Sequence, residues 1–207
     1  AVRLRDKRVG RGGRGPNVAS TNMAAKPFYA VIDFEATCWE EERRSDMEII
    51  EWGCVRCDRR TGRIGESFSS FVRPARYPEL SEYCTQLTGI TQADVTNAPT
   101  FPWSLAMAID FLGDPHDYLF CSWGEFDRYI LRAACRFHRV PYPFDDQYLD
   151  LKPLFQERVA GRTLDMRRAL DMFGIEHYGK LHRAGDDAMN VALLLEGMIA
   201  EGIVPEP

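Results

Sequence analysis

Phe28-Tyr29-Ala30-Val31-Ile32-Asp33-Phe34-Glu35-Ala36-Thr37-Cys38 is an apolar, β-prone run that carries two carboxylates two positions apart. In a strand, residues i and i+2 face the same side, so Asp33 and Glu35 project together from a sheet. Two like charges held that close repel, and taking them out of water is costly unless something neutralises them. A divalent cation is the natural partner, and oxygen ligands favour magnesium or manganese over zinc. The plain alternative is a strand that ends in solvent with two hydrated acids, and this segment alone is compatible with both.

Two other segments extend the pattern. In Gly179-Lys180-Leu181-His182-Arg183-Ala184-Gly185-Asp186-Asp187, followed by an apolar run at helical spacing from Ala188, the aspartates fall in the first turn of a helix. A negative charge there suits the positive end of the helix dipole. His182 lies just before, on a glycine-flanked loop. Alone, such a histidine is more often a surface or capping residue. Five positions before an aspartate, in a chain that also offers an Asp-x-Glu strand, it is a group able to take a proton from water near neutral pH. Asp127 follows the strand Asp117 to Ser122 and the break at Gly124, near the start of a helix. By itself it is a routine N-terminal helix acid.

The segments Asp33-Phe34-Glu35-Ala36-Thr37-Cys38, Leu87-Thr88-Gly89-Ile90, Ser122-Trp123-Gly124-Glu125-Phe126-Asp127 and His182-x4-Asp187 resemble the motifs of the DEDDh branch of the DnaQ-like (RNase H-fold) 3′–5′ exonucleases. The Asp-Phe-Glu-Ala-Thr-Cys opening, the Trp-Gly-x-x-Asp middle motif and Leu164-Asp165-Met166 are most similar to the Eri-type RNA exonucleases. The likeness runs from Phe28 to Met198, nearly the whole chain.

The resemblance implies a role for each residue. Asp33, Glu35 and Asp187 would hold one divalent ion, magnesium or manganese, and Asp33 with Asp127 a second, while His182 deprotonates the attacking water. That is two-metal phosphodiester hydrolysis, in which the ions orient nucleophile and leaving group and neutralise charge growing on the phosphoryl oxygens. The products would be nucleoside 5′-monophosphates. Asp186 faces another way on the helix and stays outside the site. A pocket for the terminal nucleotide would draw on Ala36, Thr37, Cys38, Trp39, Met47, Leu87, Thr88, Ile90, Trp123 and Phe126. Stacking on such side chains contributes about 1–3 kcal/mol per base whatever the base. For Leu87, Ile90 and Phe126, ordinary core packing is an equal alternative.

Charge adds an asymmetry. Of 26 basic and 31 acidic residues, six basic (Arg3, Arg5, Lys7, Arg8, Arg11, Arg14) and one acidic (Asp6) lie in residues 1–22, leaving 20 against 30 in the remainder. So acidic a body binds long nucleic acid weakly through phosphates alone, which favours single-stranded or short substrates held by a pocket. RNA is preferred on the resemblance only. Residues 1–26 are expected to form a flexible basic Gly/Arg-rich arm with almost nothing to bury, and 27–207 the exonuclease domain. Met23-Ala24-Ala25-Lys26-Pro27 reads like a natural start. Eri-type proteins often carry a nucleic-acid-binding module ahead of the nuclease domain. None is expected in this chain, so a specific structured-RNA target is not carried over, and a protein partner that delivers substrate is conceivable but not indicated.

The 45% apolar content supports one domain with a substantial core. No apolar run approaches the roughly 20 residues that cross a bilayer, and the six cysteines read as reduced thiols of a cytoplasmic or otherwise intracellular protein. Cys54-x-x-Cys57 lacks a second pair to complete a zinc site. The expected order is strands at 28–34, 48–58 and 66–73, with a hairpin turn over 58–63, then helices at 80–87 and 101–112. A strand at 117–122, a helix at 125–138, a short strand at 148–150 and helices at 151–159, 163–173 and 186–201 follow. Three leading strands, then strands alternating with helices, predict an α/β domain with a mixed sheet flanked by helices, and the resemblance implies that it is a single RNase H-like domain. A DNA-directed relative that proofreads or clears ends is the second reading. A non-catalytic nucleic-acid or partner-binding module is the third, and it would be marked by a missing ligand or base. None of the five is missing.

Overall fold

In a computed structural model, which describes residues 26–41 and 43–204, the run Phe28–Ala36 is the central strand of a five-stranded mixed sheet. The strands are β1 (Phe28–Ala36), β2 (Ile49–Asp58), β3 (Ile64–Phe71), β4 (Tyr118–Ser122) and β5 (Tyr148–Asp150), in the spatial order β3-β2-β1-β4-β5. β1, β2 and β3 are antiparallel neighbours, whereas β4 lies parallel to β1 and β5 parallel to β4. The helices are α1 (Glu82–Thr88), α2 (Gln92–Thr96), α3 (Phe101–Leu112), α4 (Phe126–His138), α5 (Leu151–Phe155), α6 (Met166–Phe173) and α7 (Ala184–Ala200). The basic segment 1–22, expected as an arm, lies outside the described residues.

Both faces of the sheet are covered, which is why β1, β2 and β4 read as near-continuous apolar runs rather than alternating ones. On one face Tyr29, Val31, Val55, Leu119 and Cys121 pack with Leu151, Phe155, Leu170, Val191 and Leu195 of α5, α6 and α7. On the other, Ala30, Ile32, Trp52 and Phe120 pack with Leu105 and Ala108 of α3 and Ile130 and Leu131 of α4. All six cysteines are free and buried. Cys54 belongs to the α3/α4 core and Cys57 to the α7 core, so the two thiols point to opposite faces and cannot share one ion.

The order of strands and helices follows the sequence reading, and the differences have local causes. α2 is not among the elements the sequence predicts. It is a five-residue turn held by a reciprocal cap, in which the Asp94 carboxylate accepts from the Thr91 backbone and hydroxyl. α6 starts at Met166 rather than 163 because the Asp165 carboxylate accepts from the Arg168 N–H and fixes the helix start. The segment expected as one helix over 151–159 changes at Gln156 to a wider turn that runs to Ala160 and stops at Gly161. Lys26, assigned to the arm, is buried. Its ammonium donates to the carbonyls of His116 and Tyr118 and pairs with Asp145 at 2.8 Å, so the fold takes in one residue more than expected.

Candidate active site

Parallel pairing of β1 with β4 brings the carboxyl ends of both strands to one edge, and the chain leaves β4 through Trp123-Gly124-Glu125 directly into α4. Asp127 therefore sits in the first turn of α4, beside β1. Its Oδ1 accepts from the Phe34 N–H at 3.1 Å, between Asp33 and Glu35. Asp187 arrives from the opposite face, in the first turn of α7. One ligand atom each from Glu35, His182 and Asp187 lie within 4.8 Å of one another. Asp127 joins them through its bond to Phe34, and the charges of Asp127, Glu35 and Asp187 all act on Asp33, so residues from three separated segments converge on this edge of the sheet.

Two contacts hold α7 there. Gly53 of β2 lies opposite Asp33 in the sheet, and a Cβ on it would fall 1.9 Å from the Ala184 carbonyl oxygen. Only glycine lets the start of α7 approach the strand so closely. Next along β2, Glu51 lies opposite Glu35. Its buried carboxylate accepts from the Arg183 guanidinium at 2.8–3.2 Å and from the Ala184 N–H at 3.0 Å. The two residues that follow His182 are thereby fixed to the sheet. His182 itself is exposed and adopts a left-handed backbone, φ 57°.

Asp186 braces the same loop from behind. Its carboxylate accepts from the Lys180 N–H at 2.8 Å and occupies the space where Gly179, at φ 63°, has no Cβ. Asn190, one turn further on, accepts from the Tyr178 N–H and donates to the Tyr178 and Asp186 carbonyls. His177 adds a second imidazole, with Nε2 3.9 Å from Asp187 Oδ1.

The electrostatics are those of crowded, desolvated acids. Burial, then the charges of Asp127, Glu35, Asp187 and Glu51, raise the Asp33 carboxyl well above the usual carboxylate range. Burial and the Asp187 charge push Glu35 up to about 8. Burial pushes Asp127 up to about 7 against the lowering effect of the Phe34 N–H. Asp187 is also raised by burial, and the loop N–H and imidazoles beside it oppose the rise. Asp187 Oδ1 is buried without a hydrogen-bond partner, a costly state for a carboxylate oxygen. Four hard oxygen donors with one orphaned lone-pair site fit a divalent cation of the magnesium or manganese kind.

A sequence model of the family described as "Exonuclease" (RNase_T) matches residues 30–195. The chain belongs to this exonuclease family. It is 33% identical over 196 residues to "ERI1 exoribonuclease 2" of Danio rerio, an alignment covering 84% of this chain and 35% of that one. To "3'-5' exoribonuclease 1" of Homo sapiens it is 31% identical over 185 residues, covering 84% and 53%. The chain therefore spans about a third to a half of the length of these relatives. A solved nuclease domain of 3'hExo, described as a DEDDh family member bound to rAMP, superposes with a TM-score of 0.78 at 29% identity, over 86% of this chain and 94% of that one.

The residues expected to form this exonuclease-family chain's nucleotide pocket divide into two groups. Thr37, Thr88 and Ile90 are 2%, 3% and 0% exposed. Thr37 Oγ1 accepts from the Glu48 N–H and Thr88 Oγ1 donates to the Cys84 carbonyl, so these side chains form the frame. Cys38 and Ile90 pack with Ile50, Cys84 and Val95, and Ala36 is buried in the α3/α4 core. Met47 is partly buried against both clusters. Trp123 packs edge-on to Phe155 within the α7 core. Leu87 is 40% exposed, and Trp39 and Phe126 keep part of their apolar surface accessible. Sequence reasoning missed Glu51, Arg183, Asn190 and His177. Glu51 gave a signal, a carboxylate set in the apolar first half of β2.

Proposed function

We propose that this chain is a divalent-metal-dependent 3′–5′ exonuclease that shortens single-stranded or short nucleic acid, RNA in preference to DNA, releasing nucleoside 5′-monophosphates. The observation that carries the reading is the buried, partnerless Asp187 Oδ1 beside three further carboxylates whose protons are all held too tightly. Such a cluster stores repulsion that cations would relieve. Asp33, Glu35 and Asp187 would hold one ion, and Asp33 with Asp127 a second. Bound there, the ions would lower the pKa of water and neutralise the phosphoryl oxygens. The chain's own residues do the rest. Phe34 N–H fixes the Asp127 carboxylate in place. Glu51 fixes the segment that follows His182, whose exposed ring takes the proton from the attacking water at a ring nitrogen. Leu87, Trp39 and Phe126 offer apolar surface to the terminal base.

The RNA preference rests on the relatives, two of which are named exoribonucleases, and on the similar nuclease domain solved with rAMP. Among the described residues no helix is long and apolar enough to cross a membrane. The test is to incubate the full chain with sequence-matched RNA and DNA oligonucleotides in magnesium, in manganese and in EDTA, and to separate the products. The reading predicts 5′-monophosphates, faster release from RNA, and none in EDTA. Faster release from DNA would overturn the sugar preference, and no release with either metal would overturn the enzymatic reading in favour of a binding module.

A further inference from the structure

The helix that presents Asp127 has a second face. Glu125, Arg128, Tyr129 and Arg132 recur at i, i+3, i+4 and i+7, so they line one side of α4. With Tyr148 and Asp150 of β5 they line a shallow, open groove of about 290 Å³. Arg44, on the loop that follows the first motif, joins this groove to the candidate site. Its guanidinium lies 5.5 Å from the ring centre of Phe126 and 5.0 Å from that of Tyr129. Phe126 immediately precedes Asp127, and the Tyr129 ring is 39% exposed, so a continuous aromatic and cationic surface runs outward from the carboxylates.

The charges in the groove leave room for an anion. Arg128 and Arg132 share one carboxylate, Asp146, at 3.8 and 2.7 Å, and the Asp146 side chain is 94% exposed. A solvent-exposed partner of this kind is held weakly and gives way readily. Asp150 is engaged elsewhere, accepting from the Gly124 and Lys152 N–H groups. Glu125 is the remaining acid at the rim. Arg44, Arg128 and Arg132 are planar forks suited to phosphate oxygens, and two of them lie against groove rings, Arg44 5.0 Å from the centre of Tyr129 and Arg128 4.9 Å from that of Tyr148. Alternating guanidinium and aromatic groups are the chemistry that holds a single strand without reading its sequence.

We propose that this α4 face is the track for the portion of a single strand lying 5′ to the terminal nucleotide. Tyr129 and Arg44 stack a base there, and Arg128 and Arg132 meet the phosphates. The inference rests on the exonuclease reading and deepens it: substrate length, rather than base identity, sets the affinity.

The test compares kcat/KM on a single-stranded RNA of about 12 nucleotides, within the range of such binding grooves, with kcat/KM on the p-nitrophenyl ester of uridine 5′-monophosphate, which is too small to reach the track. In Tyr129→Ala and Arg132→Ala proteins the ratio of the two falls about tenfold, and the salt dependence of oligonucleotide binding becomes shallower by about one charge for Arg132→Ala. Arg132→Lys restores the salt slope, which a merely structural defect would not allow. A ratio and slope equal to those of the unsubstituted protein would overturn the track. Fluorescence anisotropy of the labelled oligonucleotide in EDTA reads the track without turnover. If the protein cleaves neither substrate, the exonuclease reading fails. Weaker anisotropy binding by Tyr129→Ala and Arg132→Ala would still support the track, and equal binding would remove it.

Discussion

The Asp127 carboxylate accepts a hydrogen bond from the backbone N–H of Phe34, the residue between Asp33 and Glu35. A helix acid is thereby tied to the strand whose two acids it repels. The Phe34 N–H and Asp127's own N–H offset only part of the cost of burying the charge, so the Asp127 carboxyl stays raised to about 7. The site is built against its own stability, as functional sites commonly are.

Asp127→Asn separates the two effects. The amide oxygen still accepts from Phe34, but the charge is gone. Melting of the metal-free protein near pH 8 should shift upward by a few degrees, since each 1 kcal/mol moves a domain of this size by about 2–4 °C. Cleavage should fall by about 10²–10³, the scale of losing one charge-stabilising group. A lower melting temperature would show that the charge contributes to the fold.

The metal-free fold should weaken as pH rises. Glu35 is raised from 4.5 to about 8 and Asp127 from 3.8 to about 7. Between those values the folded chain holds protons that the unfolded chain has released, so stability falls with increasing pH. Denaturant melts in EDTA from pH 5 to pH 8 would record the decline, and magnesium should flatten it by favouring the ionised carboxylates. A metal-free protein that grows more stable over that range would contradict the electrostatics.

Glu51→Ala removes the buried partner of Arg183 and the acceptor of the Ala184 N–H. Arg183 is partly exposed and Glu51 also repels Asp33 and Glu35, so the loss is that of the severed charged hydrogen bonds and the orphaned Ala184 N–H, about 1–3 kcal/mol. Chemical denaturation should show a loss of that order, together with a drop in kcat, because the residues after His182 come free of the sheet. An unchanged kcat would mean that the Glu51 contacts do not position the loop.

Gly53→Ala places a methyl group on the Ala184 carbonyl, and the helix must retreat. Overpacking of this kind costs about 1–3 kcal/mol, and an ångström of displacement at a site can cost about 10²-fold in rate. Activity should therefore fall more steeply than stability. Wild-type turnover in this variant would show that α7 can move without disturbing Asp187.

Much of this was legible in the chain because the signals are local. Asp33 and Glu35 two apart in an apolar run, Asp127 after a strand and a glycine, and Asp187 at a helix start each state their own position, and the mixed sheet follows from the order of elements. What escaped is the set of contacts between distant segments. Glu51 meets Arg183 across 132 positions, and no periodicity in either neighbourhood announces the pairing. The pocket was hard to read for the opposite reason. Thr37, Thr88 and Ile90 lie within three positions of the more exposed Trp39 and Leu87, yet their hydroxyl groups and methyl groups turn inward to hold backbone and core. The Thr91 and Asp94 cap of α2 is a local signal, but a five-residue helix lacks the apolar repeat by which longer ones are found.

The most direct measurement follows a 5′-labelled single-stranded RNA in magnesium over time with the full chain and with its Asp33→Ala variant. The account predicts a ladder that shortens from the 3′ end with the unsubstituted protein and an intact strand with the variant. A ladder that persists in Asp33→Ala, or an intact strand with both proteins, would contradict it.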